Sequence, residues 1–219
     1  IFSIPFVGLD REGLPVYINQ DGIETSYDID FQENAPNKMS FLKYEGSADA
    51  NTMGSFGNIF TYKNFRLNVF MTYSFGNVIR LDQVFRNKYD DMRAMPREFA
   101  NRWTLPGDEA YTTIPALVNR RDSDDNPDMK IAYNAYNFST ERIADGGFIR
   151  MKEISLGYDF PKDWLGPRMN NLSVKLQATN PFLIYADKKL NGQDPEFFRS
   201  GGVAAPVPRQ YTFTVRVGI

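Results

Sequence analysis

The 219-residue chain contains neither cysteine nor histidine. Without cysteine there is no disulfide framework, no thiolate metal site and no thiol nucleophile. Without histidine the usual general base and the commonest metal ligand are missing. The ordinary hydrolase and zinc chemistries are therefore excluded. Composition leaves room for an enzyme of another kind, but the chain as a whole reads as a non-enzyme with no cofactor. Net charge is also small: 25 Lys+Arg against 27 Asp+Glu leave −2, with the signs interspersed and no basic patch to recruit nucleic acid. No run of about 18 apolar residues exists, so no transmembrane helix is expected. The chain opens at Ile1 with no Met and no leader, which points to one piece of a longer polypeptide.

Aromatic residues, by contrast, are abundant at 15%, and Phe and Tyr suit strands and membrane boundaries. The stretch FRLNVFMTYSF (65–75) places Phe65, Leu67, Val69, Met71, Tyr73 and Phe75 at every second position, with Arg66, Asn68, Phe70, Thr72 and Ser74 between them. Such alternation describes a strand with one apolar and one polar face. The same pattern puts Leu172, Val174, Leu176 and Ala178 opposite Ser173, Lys175, Gln177 and Thr179. In QYTFTVRVGI (210–219) it sets Tyr211, Phe213, Val215, Val217 and Ile219 against Gln210, Thr212, Thr214 and Arg216. Further strands are expected at 1–8, 54–62 and 147–160, with Lys63-Asn64 as a tight hairpin and 9–22 and 23–52 as connections. In 80–103, Leu81, Val84, Phe85, Tyr89, Met92, Phe99 and Trp103 fall at helical spacing, broken by Pro96.

This layout predicts an all-β, antiparallel transmembrane β-barrel segment. Its strands are of bilayer-crossing length, and its connections run two residues, then about 70, about eleven and about 28, the short-turn and long-loop asymmetry of outer-membrane barrels. On this reading Phe65, Leu67, Val69, Met71, Tyr73, Leu172, Val174, Leu176, Tyr211, Phe213, Val215 and Val217 face lipid. The alternative is a soluble sandwich whose apolar face packs on a second sheet.

The runs GNIFTYKNFRLNVFMTYSFGN, RWTLPGD, STERIADGGFIRMKEISLGYDFP, NPFLIYADKKLNGQDPEF and PVPRQYTFTVRVGI, preceded by GLDREGLPVYINQDG, resemble the C-terminal third or quarter of SusC/RagA transporters, which are TonB-dependent outer-membrane proteins. The resemblance follows nearly the whole chain in order. It implies that residues 1–219 form the C-terminal portion of a barrel domain of 22 strands, about six of them here, with the plug and first strands outside this chain. It further implies a bacterial outer-membrane location, TonB acting through the plug, a SusD-like surface lipoprotein over the mouth, and import of oligosaccharides or peptides. A passive porin or structural barrel, and a soluble carbohydrate-binding sandwich, are the alternatives. The chain departs from the family by ending in Ile219 instead of an aromatic residue. Six strands alone cannot close so wide a barrel, so their edges need the rest of it.

Individual sites are weaker. Asp122, Asp124, Asn126 and Asp128 alternate like the start of a calcium loop, but Pro127 and Tyr133 stand where that loop needs Gly and Glu, so a solvated acidic loop reads better. The carboxylates Asp90-Asp91 and Asp194 with Glu196 have no cleft to define a glycosidase pair; Asp194-Pro195-Glu196 reads as a turn. Trp103, Tyr111, Tyr133 and Tyr136 are candidate ligand or lid contacts, against the plainer reading that they pack within their own loop.

Overall fold

Antiparallel strand pairing dominates the computed structural model, which describes residues 1–29, 41–84, 97–117, 127–198 and 208–219. In chain order the strands are β1 (Phe2–Ser3), β2 (Phe6–Leu9), β3 (Pro15–Ile18), β4 (Glu24–Thr25), β5 (Lys43–Tyr44), β6 (Thr52–Tyr62), β7 (Phe65–Phe75), β8 (Val78–Arg80), β9 (Ile143–Asp145), β10 (Phe148–Asp159), β11 (Asn171–Ala186) and β12 (Gln210–Gly218); α1 spans Pro127–Asn137. Two units divide the chain: 1–48 with 78–144, and 49–77 with 145–219. Among the described residues no helix is long and apolar enough to cross a membrane.

The second unit is built on a five-stranded antiparallel sheet of order β12-β11-β10-β7-β6, a meander in which each strand pairs with its sequence neighbour in the sheet. Register places the β6–β7 turn (Tyr62↔Phe65), the β10–β11 turn (Asp159↔Ser173) and the end of β12 (Asn171↔Gly218) at one end of the sheet. The connections 76–147 and 187–209 leave from the other end. The hairpin turns tightly because Lys63 accepts φ 51°, in the left-handed region. The register of β10 and β11 shifts twice, between Ile149 and Arg150 and between Met151 and Glu153. At the second shift Asn180 sits at φ 50° and Pro181 has no N–H to give. Asn tolerates the left-handed region, and Pro is confined to edges and bulges, so Asn180-Pro181 bends β11 without ending it. The strand expected to stop near residue 180 therefore runs on to Ala186.

The first unit corrects the sequence reading at 1–8. That segment is not a strand of the large sheet, which among the described residues holds five strands where about six are expected. It breaks at Pro5 into β1, paired with β5, and β2, paired with β3. Ile4 is 3% exposed and packs with Tyr17, Ile29, Val84, Phe99, Ala135 and Tyr136, with Phe6 beside it, so these two side chains meet protein. The stretch 9–22 holds β3, closed by turns in which Asp10 accepts the N–H of Leu14 (2.8 Å) and Asn19 accepts that of Ile23 (2.9 Å).

The helical expectation at 80–103 is also revised: residues 81–84 are not helical, and Arg97–Asn101 is a 3₁₀ turn. Leu81, Val84 and Phe99 are buried nonetheless, so those positions face the core without the helix. Phe85, Tyr89, Asp90, Asp91, Met92 and Pro96 lie outside the described residues. The helix that does form, α1, starts with Pro127 in its first turn and Asp128 near its positive end, both favourable there. Its Ala132, Ala135 and Tyr136 share the buried face.

Candidate functional site

The five-stranded sheet keeps two chemically distinct faces in register across all its strands. One row reads Phe60, Leu67, Leu156, Leu176, Phe213; the next reads Tyr62, Phe65, Tyr158, Val174, Val215. Beyond the β10 bulge the same face carries Phe56, Met71, Met151 and Phe182. No layer of described side chains covers it: Phe60 is 55% exposed, Phe65 48%, Leu176 58%, Phe213 64% and Val215 50%. A sandwich core would have buried these residues. A dent of about 400 Å³ lies over Ala178, where a small side chain stands among Ile154, Leu176, Tyr211 and Phe213.

Aromatic rings collect at both ends of this face. At the turn end Phe65 lies 4.6 Å from Tyr158, Tyr158 5.0 Å from Phe160, and Phe160 6.4 Å from Trp164 between ring centres. At the long-connection end Tyr73 and Phe75 are 6.0 Å apart, and Phe75 and Tyr185 6.2 Å. From Phe65 to Tyr73 the strand rises about 26 Å at roughly 3.3 Å per residue, close to the apolar height of an outer-membrane barrel.

The opposite face is polar. Asn68 donates to Glu153 at 3.1 Å, Lys175 Nζ stands 3.8 Å from the same carboxylate, and Gln177 donates to Thr179 at 3.3 Å. Phe70 breaks the alternation for a local reason. Its ring lies over Gly57 of β6, within 3.1 Å of where a Cβ would stand, and so covers a strand position that has no side chain. Near the long-connection end Arg150 is buried against Asp194, and its Nε is 3.0 Å from Glu196.

Of the four candidate contact residues, two are removed by burial. Tyr133 (3% exposed) and Tyr136 (1%) belong to the cores of the first unit. Tyr133 donates to the Ala116 carbonyl at 2.7 Å, and Tyr136 packs edge-on to Phe6 with ring centres 5.7 Å apart. Burial raises the phenol pKa of Tyr136, as it does that of Tyr17. Tyr spacing on α1 is thus core spacing. Trp103 is half-buried: its indole lies over Gly13, and its N–H donates to Glu109 at 3.0 Å. Tyr111 alone of the four stands free, 92% exposed.

The loop carrying Trp103 and Tyr111 is held by carboxylates. Asp108 accepts from Thr104 N (2.9 Å), Thr104 Oγ1 (2.8 Å) and Leu105 N (2.9 Å), and Glu109 accepts from Gly107 N (2.8 Å). These bonds hold both acids below their ordinary pKa: for Asp108 the Leu105 N–H leads, for Glu109 the Trp103 N–H. In the calcium-loop candidate, Asp122, Asp124 and Asn126 lie outside the described residues, and Asp128 belongs to α1. Among the described residues no group of three metal-ligating side chains gathers. The 194–196 turn is described: Asp194 caps the 3₁₀ turn Pro195–Phe197, so it serves as a turn, with Arg150 as the partner that sequence reasoning missed.

Comparison with known proteins adds the class. No protein-family model matches the chain. It is 26% identical over 207 residues to TonB-dependent receptor P39 of Formosa agariphila, which aligns 90% of this chain with 17% of that receptor. It is also 26% identical over 146 residues to TonB-dependent receptor P3 of the same organism, 66% of this chain and 12% of that one. The chain therefore spans less than a fifth of the curated relatives it matches. In fold it is similar to the RagAB peptide transporter, with a TM-score of 0.66 at 19% identity over 99% of this chain and 22% of that one. The RagAB peptide importer in its open-open state gives 0.63 at 18% identity, covering 100% and 22%. The relatives are named receptors and the similar fold is that of a transporter, and none of these names is that of an enzyme. The chain is thus similar in sequence to part of two TonB-dependent receptors and in fold to part of the RagAB peptide transporter.

Proposed function

We propose that these residues form the C-terminal part of the barrel of a TonB-dependent outer-membrane importer of oligosaccharides or peptides. It works with a SusD-like lipoprotein at the surface and receives energy from TonB through a plug. Lipid covers the face bearing Phe65, Leu67, Val69, Met71, Tyr73, Leu172, Val174, Leu176, Tyr211, Phe213, Val215 and Val217, and the face bearing Asn68, Glu153, Lys175 and Gln177 lines the lumen. The observation that carries this reading is the continuous apolar face left open across five strands, aromatic at both ends, on a sheet whose short turns share one end. The sheet edges β6 and β12 pair with the remainder of the barrel, because open edges in hydrocarbon leave backbone groups unsatisfied. Of the surface candidates, Tyr111 and the Trp103 loop remain as a contact for ligand or lid.

The test is made on the full-length protein in its native membrane. A heat-modifiable band on unboiled gels, together with uptake that stops when TonB is removed, is the expected result. Uptake that persists without TonB would make the protein a passive porin, and absence of the heat-modifiable band would return the sheet to a soluble domain.

A further inference from the structure

Arg150 lies in register with Thr72 of β7, on the polar face of β10, and is 3% exposed. An arginine withdrawn from water needs a counter-charge and acceptors for its donors. One short turn supplies the counter-charge and one of the acceptors. Asp194, 5% exposed, accepts from a terminal guanidinium nitrogen, and Glu196 Oε2 stands 3.0 Å from Nε. Lys152, the unpaired residue of the β10 bulge, adds a cation 3.3 Å from Glu196. Asp194 also accepts the N–H of Glu196 at 3.1 Å, so one carboxylate both shapes the turn and anchors it. Earlier in the same connection Asp187 caps the turn Lys188–Leu190 and accepts the N–H of Asp145 at 2.8 Å, while Leu190 is 1% exposed. Between these anchors Lys188, Lys189, Asn191 and Gln193 face outward. Exposed ion pairs hold little. A buried pair fixes geometry, because removing one partner strands the other's charge.

We propose that residues 187–198 are a fixed strap on the polar side of the sheet, pinned by Arg150, which narrows the solute path at the long-connection end and limits the size of what passes. Arg150 is then a positioning residue for selectivity. This rests on the polar face being the lumen wall. A strap held by buried charge resists displacement by a passing solute, whereas one held by surface polar contacts would swing aside.

The experiment uses the full-length transporter assembled in the outer membrane, with a spin label on Asn191→Cys. Asp194→Asn combined with Glu196→Gln removes charge and keeps shape. The mobile fraction of the label is expected to rise about tenfold, the scale on which losing a charge-assisted bond shifts an equilibrium. Hydrophilic solutes above the wild-type size limit should then enter, with the amount of heat-modifiable protein unchanged. A label that stays immobile, or one that loosens without any change in solute entry, overturns the strap. If the neutral pair does not assemble, Arg150→Lys, which keeps the charge and loses the fork, is read by the same two quantities. Failure of the lumen reading shows separately, as a Thr214→Cys thiol that a water-soluble reagent cannot reach in the unaltered background.

Discussion

Leu176 and Lys175 are neighbours in the chain and belong to opposite faces of β11. Leu176 is 58% exposed in a row of apolar side chains, and Lys175 stands 3.8 Å from Glu153 on the polar side. If hydrocarbon meets the first face, Leu176→Arg or Val215→Arg should cost about 2–4 kcal/mol near the bilayer midplane. Lys175→Ala should stay within about 0.5 kcal/mol, since a partly exposed pair contributes little. Denaturant titration of the barrel in lipid vesicles measures both, and equal tolerance at the two kinds of site contradicts the assignment. Gly13 offers a second residue-scale prediction. It sits at φ 77° with the Trp103 indole 2.5 Å from where a Cβ would be, so Gly13→Ala meets strain and a clash together. About 1–3 kcal/mol of local destabilisation is expected, read as faster hydrogen exchange at the Trp103 indole N–H; an unchanged rate would contradict the close packing. At this scale the sequence was informative on strands, where position parity alone decides the face. It was uninformative for Tyr133 and Tyr136, because a tyrosine that packs a core and one that stacks on a ligand look the same in a string. It also hid Arg150, whose partner Asp194 lies 44 positions away.

Among elements, the long strands were legible because the period-2 signal persists over many residues and hairpin chemistry punctuates it. The short ones were not. Residues 1–8 alternate well enough to pass for a barrel strand, yet Pro5 cuts the ladder and Ile4 and Phe6 pack into a protein core. Helix α1 carried a start signal in Pro127 and Asp128 and an apolar stripe through Ala132, Ala135 and Tyr136, but the alternating acids just before it read as a solvated loop. Within the first unit the 103–111 loop makes a prediction about pH. Asp108 and Glu109 have folded-state pKa values below their ordinary ones, so their bonds contribute stability that is complete above the unfolded pKa and lost as pH falls through the folded one. Trp103 emission should therefore stay constant down through the ordinary carboxylate range near pH ~4 and change only below it. Asp108→Ala should open the loop already at neutral pH. A midpoint at or above the ordinary carboxylate value would show that the caps do not hold.

For the molecule as a whole, the arrangement of connections matters more than any single motif. Five antiparallel strands in meander order put both short turns and the end of β12 on one side, and send the long excursions to the other. A soluble sandwich has no reason to sort its connections this way, nor to leave Phe60, Leu176 and Phe213 uncovered. The chain's relatives are named TonB-dependent receptors, and its fold is similar to part of the RagAB peptide transporter. The most direct measurement is a cysteine scan along β12 from Gln210 to Val217 in the full-length protein, each site labelled with a fluorophore and challenged with a lipid-borne and a water-borne quencher. Tyr211, Phe213, Val215 and Val217 should respond to the lipid-borne quencher and Gln210, Thr212, Thr214 and Arg216 to the water-borne one, in strict alternation. Apolar positions shielded from both quenchers would mean that protein covers that face, and would contradict the membrane account.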